Sequence, residues 1–271
     1  MILKRYLPTG SRLNLEQTTM WNATRHLGHV LQLNRPKGVN PASWQKSAEY
    51  YKELDECSLR PPGCVDFSPA WFQQGHTVSL NCESISPLIN LSITQMADWP
   101  LEMSATLKPT NLDLSGRLWA EDMYESSALI SAMLRVMHPA LYSAGRQTMQ
   151  CLASDDSLRS AISRWSSVFN ACTLLSNRWT PNHHDNYSRA QWYDILTTFG
   201  AYRGAFLNLS SIGLKLQYSS GTVVGFSGKI LWHGVPECEG ERMCLAYYMR
   251  DKVHERMGVE AAPWMKMDYY Q

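Results

Sequence analysis

Long hydrophobic runs are missing from this chain. No stretch of about 18 apolar residues occurs, so no segment reads as a membrane-spanning helix. An excess of charge is missing as well: the formal net charge is +1, which by itself announces no polyanionic partner. Paired cysteine motifs are absent. The seven cysteines are an odd number without CxxC spacing, which implies neither a zinc site nor a disulfide framework. They are expected to be reduced thiols in an intracellular protein. The sequons at Asn22, Asn90, Asn186 and Asn208 then carry no meaning. Met1-Ile-Leu runs straight into Lys4, Arg5 and polar residues, leaving no apolar centre for a secretory signal. No internal repeat or low-complexity tract stands out.

What is there is globular. Hydrophobic residues make up 44% and charged residues 18% of 271 positions, enough to bury one full core with an extension. Residues 1–75 are punctuated by Pro8, Pro36, Pro41, Pro61 and Pro62 and read as an N-terminal extension packing on a core of residues 76–271. Within the extension, Pro41 opens a predicted helix over 42–54. Lys4, Arg5, Arg12, Arg25, Arg35 and Lys37 face only Glu16 in residues 1–40, so this arm is either a phosphate-contacting segment or a solvated basic terminus. Short strands are predicted at 77–80 and 88–93. A helical region covers 121–153, with Leu129, Met133, Val136 and Met137 on one face and a break or kink at Pro139. Strands then follow closely: 192–198, 214–218, a turn at 219–221, 222–226, 230–233 and 242–249. Short antiparallel strands with glycine turns predict an α+β protein with a jelly-roll core and a helical, irregular N-terminal extension.

One ordered set of residues carries the chemistry. His183 and Asp185 flank a single residue, so on extended backbone both side chains leave the same side. His233 follows 48 residues after Asp185, far enough to return on a later strand. Two imidazoles and a carboxylate occupy one face of an octahedral Fe(II) and leave three positions for a chelating co-substrate and dioxygen. Arg242, nine residues beyond His233, offers a guanidinium fork for the remote carboxylate of 2-oxoglutarate.

Asn177-Arg-Trp-Thr-Pro-Asn-His-His-Asp185, Gly221-Thr-Val-Val-Gly-Phe-Ser-Gly228, Leu231-Trp-His-Gly-Val235 and Arg242-Met-Cys-Leu-Ala-Tyr-Tyr-Met-Arg-Asp251 resemble the fungal branch of the TET/J-binding-protein dioxygenases. The resemblance is specific over residues 175–265 and loose over the preceding hundred. It implies a double-stranded β-helix, Fe(II) and 2-oxoglutarate as cofactors, and oxidation of a methyl group on a DNA base. In well-known members that base is 5-methylcytosine, taken to hydroxymethyl, formyl and carboxyl forms. The family's iron ligands fall on His183, Asp185 and His233, and its co-substrate arginine on Arg242, with Arg178 as a second. Double-stranded DNA with a flipped methylated base is the implied partner, and a monomeric nuclear enzyme is expected.

Two positions depart from the cytosine-reading pattern. Ser188 stands where relatives place Asn or Asp, and Arg250 where they place a histidine. Arginine is a donor only and the cytosine ring nitrogen an acceptor, so Arg250 remains a candidate base contact, with Ser188 and Tyr187 beside it. Tyr187 and Trp192 follow the iron motif and are either slot-lining or core aromatics. Alternatives are N6-methyladenine as the base or a dual-base enzyme, an RNA or small-molecule substrate, and a catalytically silent DNA-binding module.

Overall fold

The computed structural model describes residues 2–3, 15–53, 58–72, 100–186 and 188–266. Strands predicted at 77–80 and 88–93 lie outside them. So do Tyr187 and the arm residues Lys4, Arg5 and Arg12.

Two facing antiparallel sheets form the core. The larger takes strands β1 (Ile2–Leu3), β2 (Gly63–Phe67), β3 (Ala171–Ser176), β5 (Asp194–Phe199), β9 (Val223–Phe226) and β12 (Met243–Tyr248), in the order β1-β9-β5-β12-β3-β2. The smaller takes β4 (Thr180–His183), β7 (Phe206–Leu209), β8 (Leu214–Gln217) and β10 (His233–Val235), in the order β4-β10-β7-β8. A short pair, β6 (Tyr202–Arg203) with β11 (Glu239–Gly240), closes one side. The predicted α+β fold with a double-stranded β-helix core is the fold observed. Strand β2 lies inside the 1–75 extension yet pairs residue for residue with β3, so the extension is woven into the large sheet.

From β3 onwards the chain mostly alternates between sheets, β7 and β8 being a consecutive pair within one. The turn at 219–221 is present, with Gly221 at φ +82°. Its neighbours do not form the hairpin that the alternation suggests: β8 pairs with β7, and β9 with β5 and β1. The turn is instead tied to β5, Gly221 N–H donating to Thr198 O at 2.7 Å and Thr198 N–H to Thr222 O at 3.1 Å.

One face of the large sheet is covered by α4 (Tyr124–Met137) and α5 (Pro139–Leu152), with α1 (Leu15–Ala23), α2 (Gly28–Leu33) and α3 (Ser115–Asp122) beside them; α6 (Arg159–Ile162) follows and α7 (Asp251–Arg256) ends the described helices. Pro139 starts α5 at its first turn, where a missing N–H costs nothing, and His138 Nδ1 accepts the Leu141 N–H at 3.2 Å. The buried stripe of α4 is Ile130, Leu134 and Met137; Val136, expected on that face, is 53% exposed. Serines explain the rotation. Ser126, Ser127 and Ser131 are buried, and Ser127 Oγ meets Tyr247 OH at 3.0 Å, so small hydroxyls lie where an apolar count looks for large side chains. The predicted helix over 42–54 is two single turns, Trp44–Lys46 and Ala48–Tyr50, separated by extended Ser47. Tyr51 then bridges to Arg178, and this pairing with the sheet replaces the helix.

Between the sheets, Leu207, Leu209, Tyr218, Val224, Phe226 and Val235 form a second core. Among the described residues no helix is long and apolar enough to cross a membrane.

Candidate metal centre

Strands β4 and β10 are neighbours in the small sheet, and their register sets His183 directly opposite His233. The ring centroids lie 4.3 Å apart. Gly234 makes the close approach possible, because a Cβ there would sit 2.6 Å from Asn182 Oδ1 and 2.9 Å from Thr180 O. Each imidazole is held through Nδ1, to Pro181 O at 3.0 Å for His183 and to Leu231 O at 2.9 Å for His233. A carbonyl only accepts, so Nδ1 carries the proton and Nε2 presents its lone pair.

Asp185 completes the group. Its backbone N–H donates to Gly228 O at 2.8 Å. Oδ1 lies 3.5 Å from His183 Nε2 and Oδ2 lies 3.8 Å from His233 Nε2. Donors around an ion with bonds of about 2.1 Å sit about 3 to 4 Å apart, and one ligand atom from each of the three residues lies within 4.8 Å of the others, so the set can close on one ion. Burial pushes the Asp185 carboxyl up, but the His183 hydrogen bond and the charges of His233 and His183 outweigh it and its pKa falls. Burial, with His183 beside it, lowers the pKa of His233 and favours the neutral ligand form. Gly228 is the floor: a Cβ there would overlap Asp185 Oδ2 and lie 2.8 Å from Asp194 Oδ2. Asp194 is buried and held well above the usual carboxylate range, by burial first and then by Asp185.

Arg242 and Arg178 lie to one side, 5% and 9% exposed. Asn177, at φ +52°, ties them together: its N–H donates to Arg242 O at 2.8 Å and its Oδ1 accepts from Arg242 N–H at 3.0 Å. Arg242 Nη2 donates to Arg178 O at 2.5 Å, while Arg242 Nη1 and Arg178 Nε have no partner. Neither guanidinium takes part in an ion pair with a described residue. A buried cation without an anion is costly. A dicarboxylate co-substrate supplies the missing charge, so the orphaned donors fit 2-oxoglutarate. Trp44 joins the two halves, with Arg178 over its ring at 5.1 Å and the edge of His183 at 4.8 Å.

Ser188 and Arg250, the described members of the expected base contacts, have protein neighbours of their own. Ser188 turns its hydroxyl to Asp194 Oδ2 at 3.4 Å. Arg250 lies past the opposite end of β12 from Arg242, between Trp71 at 5.1 Å and Tyr248 at 5.4 Å, with Nε unpartnered. Trp192 is core, 2% exposed, its Nε1 donating to Ala262 O at 3.2 Å. Trp44, Gly228, Asp194 and the Trp71–Tyr248 pair escaped the sequence reading. Only Gly228 left a usable signal, as the last glycine of the 221–228 motif.

Fold and site together define an Fe(II)- and 2-oxoglutarate-dependent dioxygenase. The profile of the Tet_JBP family, the oxygenase domain of the 2OGFeDO superfamily, matches residues 107–251, more than half of the chain, and the chain belongs to that family. Among solved structures it is similar to NgTET1 in complex with 5mC DNA, at 19% identity over 63% of this chain and 62% of that one, TM-score 0.42. It is also similar to the viral collagen prolyl hydroxylase vCPH from Paramecium Bursaria Chlorella virus-1 in its 2OG complex, at 11% identity over 29% and 57%, TM-score 0.25. The chain thus spans less than two thirds of either. No curated protein matches.

Proposed function

We propose that this dioxygenase oxidises the methyl group of 5-methylcytosine in DNA, through hydroxymethyl to formyl and carboxyl forms. The observation that carries the reading is the His183–Asp185–His233 cluster beside two buried, unpaired guanidiniums in a Tet_JBP oxygenase domain. His183, Asp185 and His233 would hold Fe(II) through two Nε2 atoms and a carboxylate. Arg242, with Arg178, takes the distal carboxylate of 2-oxoglutarate. When bound, the iron and 2-oxoglutarate would supply, with dioxygen, the oxidising chemistry that replaces a methyl C–H by C–OH, with succinate and carbon dioxide as the other products. Around them the chain holds each imidazole by its Nδ1–H and walls the co-substrate side with Trp44. The base must leave the duplex stack to bring its methyl to the iron. The N-terminal basic arm lends phosphate contacts without sequence information, and the enzyme acts as a nuclear monomer.

Mass spectrometry of digested methylated duplexes, with Fe(II) and 2-oxoglutarate supplied and Asp185→Ala as control, tests this. Hydroxymethylcytosine formed by the wild type alone supports it; succinate release without any cytosine product refutes the base assignment. A second reading, N6-methyladenine, is favoured by two placements: the Ser188 hydroxyl is engaged with Asp194, and Arg250 is a donor fork held between two aromatic rings. Neither commits the pocket to a pyrimidine edge. The same digest reads loss of methyladenine.

A further inference from the structure

A thiol shares the arginine cleft. Cys238 is a free, half-buried cysteine in the turn between β10 and β11. It lines the same cleft as Lys52, Arg178, Trp179, Glu237 and Arg242. Arg242 lines that cleft, is 5% exposed, and buries an Nη1 that has no hydrogen-bond partner. The cleft therefore combines a nucleophile with an anion seat that no described carboxylate fills. The one carboxylate on its wall, Glu237, forms no ion pair with either arginine among the described residues.

We propose that Cys238 is a covalent modification site for carboxylate-bearing electrophiles, which the arginines seat with the reactive carbon against its sulfur. The inference rests on the reading of Arg242 and Arg178 as a carboxylate seat. With a halo acid, the thiolate sulfur forms a bond to the carbon bearing the halogen. The carbon–halogen bond breaks, halide leaves, and the thiol proton goes to solvent. With an α,β-unsaturated acid, the sulfur bonds to the β-carbon, the π bond opens, and the proton ends on the α-carbon. No oxidant or reductant is needed. In either product the attached carboxylate lies in reach of the guanidinium that 2-oxoglutarate requires, so modification closes the co-substrate site.

Burial raises the Cys238 pKa, and Arg242 and Lys52 oppose the rise. Thiolate is therefore scarce at neutral pH, and reaction relies on seating the electrophile. Other described thiols lack this combination: Cys172 and Cys244 are buried, and burial lifts Cys64 to about 12.

Iodoacetate and its neutral counterpart iodoacetamide separate seating from simple reactivity. The whole protein, loaded with Fe(II) and kept free of oxygen, is treated with each at pH 8.5, and peptides are mapped by mass spectrometry with Cys151 as the reference thiol. Relative to Cys151, Cys238 should favour iodoacetate by about tenfold, the scale of a charge-assisted pair. 2-Oxoglutarate should slow its labelling by a similar factor, and the carboxymethylated protein should no longer bind 2-oxoglutarate in native mass spectrometry. Arg242→Gln should erase the preference; the protection experiment stands on wild-type protein should that variant not fold. Equal preference at Cys238 and Cys151, or no protection, overturns the inference when 2-oxoglutarate binds normally. If 2-oxoglutarate does not bind at all, the seat itself is refuted and the inference falls with it.

Discussion

Replacing Gly228 by alanine tests the metal centre without touching a ligand. Gly228 has an ordinary backbone conformation, so alanine adds one methyl group and little strain. That methyl overlaps Asp185 Oδ2 and lies 3.3 Å from Asp185 Cγ and 2.8 Å from Asp194 Oδ2. The Asp185 backbone cannot retreat, because its N–H is fixed on Gly228 O at 2.8 Å. The carboxylate must therefore rotate, and ordinary contact distances require its oxygen to move by roughly 1 Å. Metal–ligand distances tolerate about 0.2 Å. The variant should fold with a modest loss of stability, about 1 kcal/mol, yet bind Fe(II) about 10- to 100-fold more weakly, the range seen when a ligand loses its orientation. Calorimetric titration with Fe(II) or Mn(II), beside a thermal melt, reads both quantities. A variant that binds metal as the wild type does would refute the close approach of Gly228 to Asp185.

Arg242→Ala removes a charge-assisted pair of about 1.5–3 kcal/mol, so the 2-oxoglutarate requirement should rise about 10- to 150-fold; an unchanged dependence of succinate release on 2-oxoglutarate would move the seat elsewhere. Trp44→Ala takes away the ring under Arg178 and beside His183 and should weaken 2-oxoglutarate binding several-fold, with the melting temperature little changed because Trp44 is half-exposed. Stability should fall on acidification through His254. Burial, then Arg189, lowers its pKa from 6.5 to about 4, so the unfolded chain takes up a proton that the folded one refuses. The contribution is full above about pH 6.5 and is lost towards pH 4, which amounts to about 2 kcal/mol between pH 7 and pH 5. Denaturation of wild type and His254→Phe at both pH values checks it, the variant showing the shallower loss.

The jelly roll was legible because strands alternate and turn at glycines, and both signals are local. Which sheet receives each strand was not. Residues 214–226 read as a hairpin because two alternating runs flank a serine–glycine turn, yet the turn bonds to β5 and its arms part into different sheets. That choice is made by a strand some 20 residues earlier, beyond the reach of local pattern. Buried serines misled the reading of α4 for a related reason: a hydroxyl opposite Tyr247 is polar in a count of residue types but small and paired in the packed core.

The iron cluster was legible because its chemistry demands rare residue types, and three ligands with one arginine in order leave few alternatives. The walls were not, since any side chain of the right shape can make a wall. Trp44 illustrates the difference. Its segment carries Pro41 and then residues compatible with a helix, and nothing within residues 42–54 says that Arg178 and His183 will lie on either side of one indole. The pairing of Tyr51 with Arg178, with the bonds of Tyr50 and Lys52 to Trp179 and Asn177 on either side, brings that segment to the metal and joins residues more than a hundred positions apart. The surroundings of Ser188 and Arg250 were hidden for a third reason. Ser188 and Arg250 were singled out by family resemblance, three residues after Asp185 and eight after Arg242, and β12 carries Arg250 past the far end of the strand from Arg242, into the company of Trp71. Trp71 belongs to the N-terminal extension, so the aromatic neighbour that fixes Arg250 comes from the part of the chain where family motifs are weakest. The corner where the extension meets the end of β12 is therefore fixed by contacts distant in sequence, whereas the two histidines of the metal cluster are set face to face by the single pairing of β4 with β10.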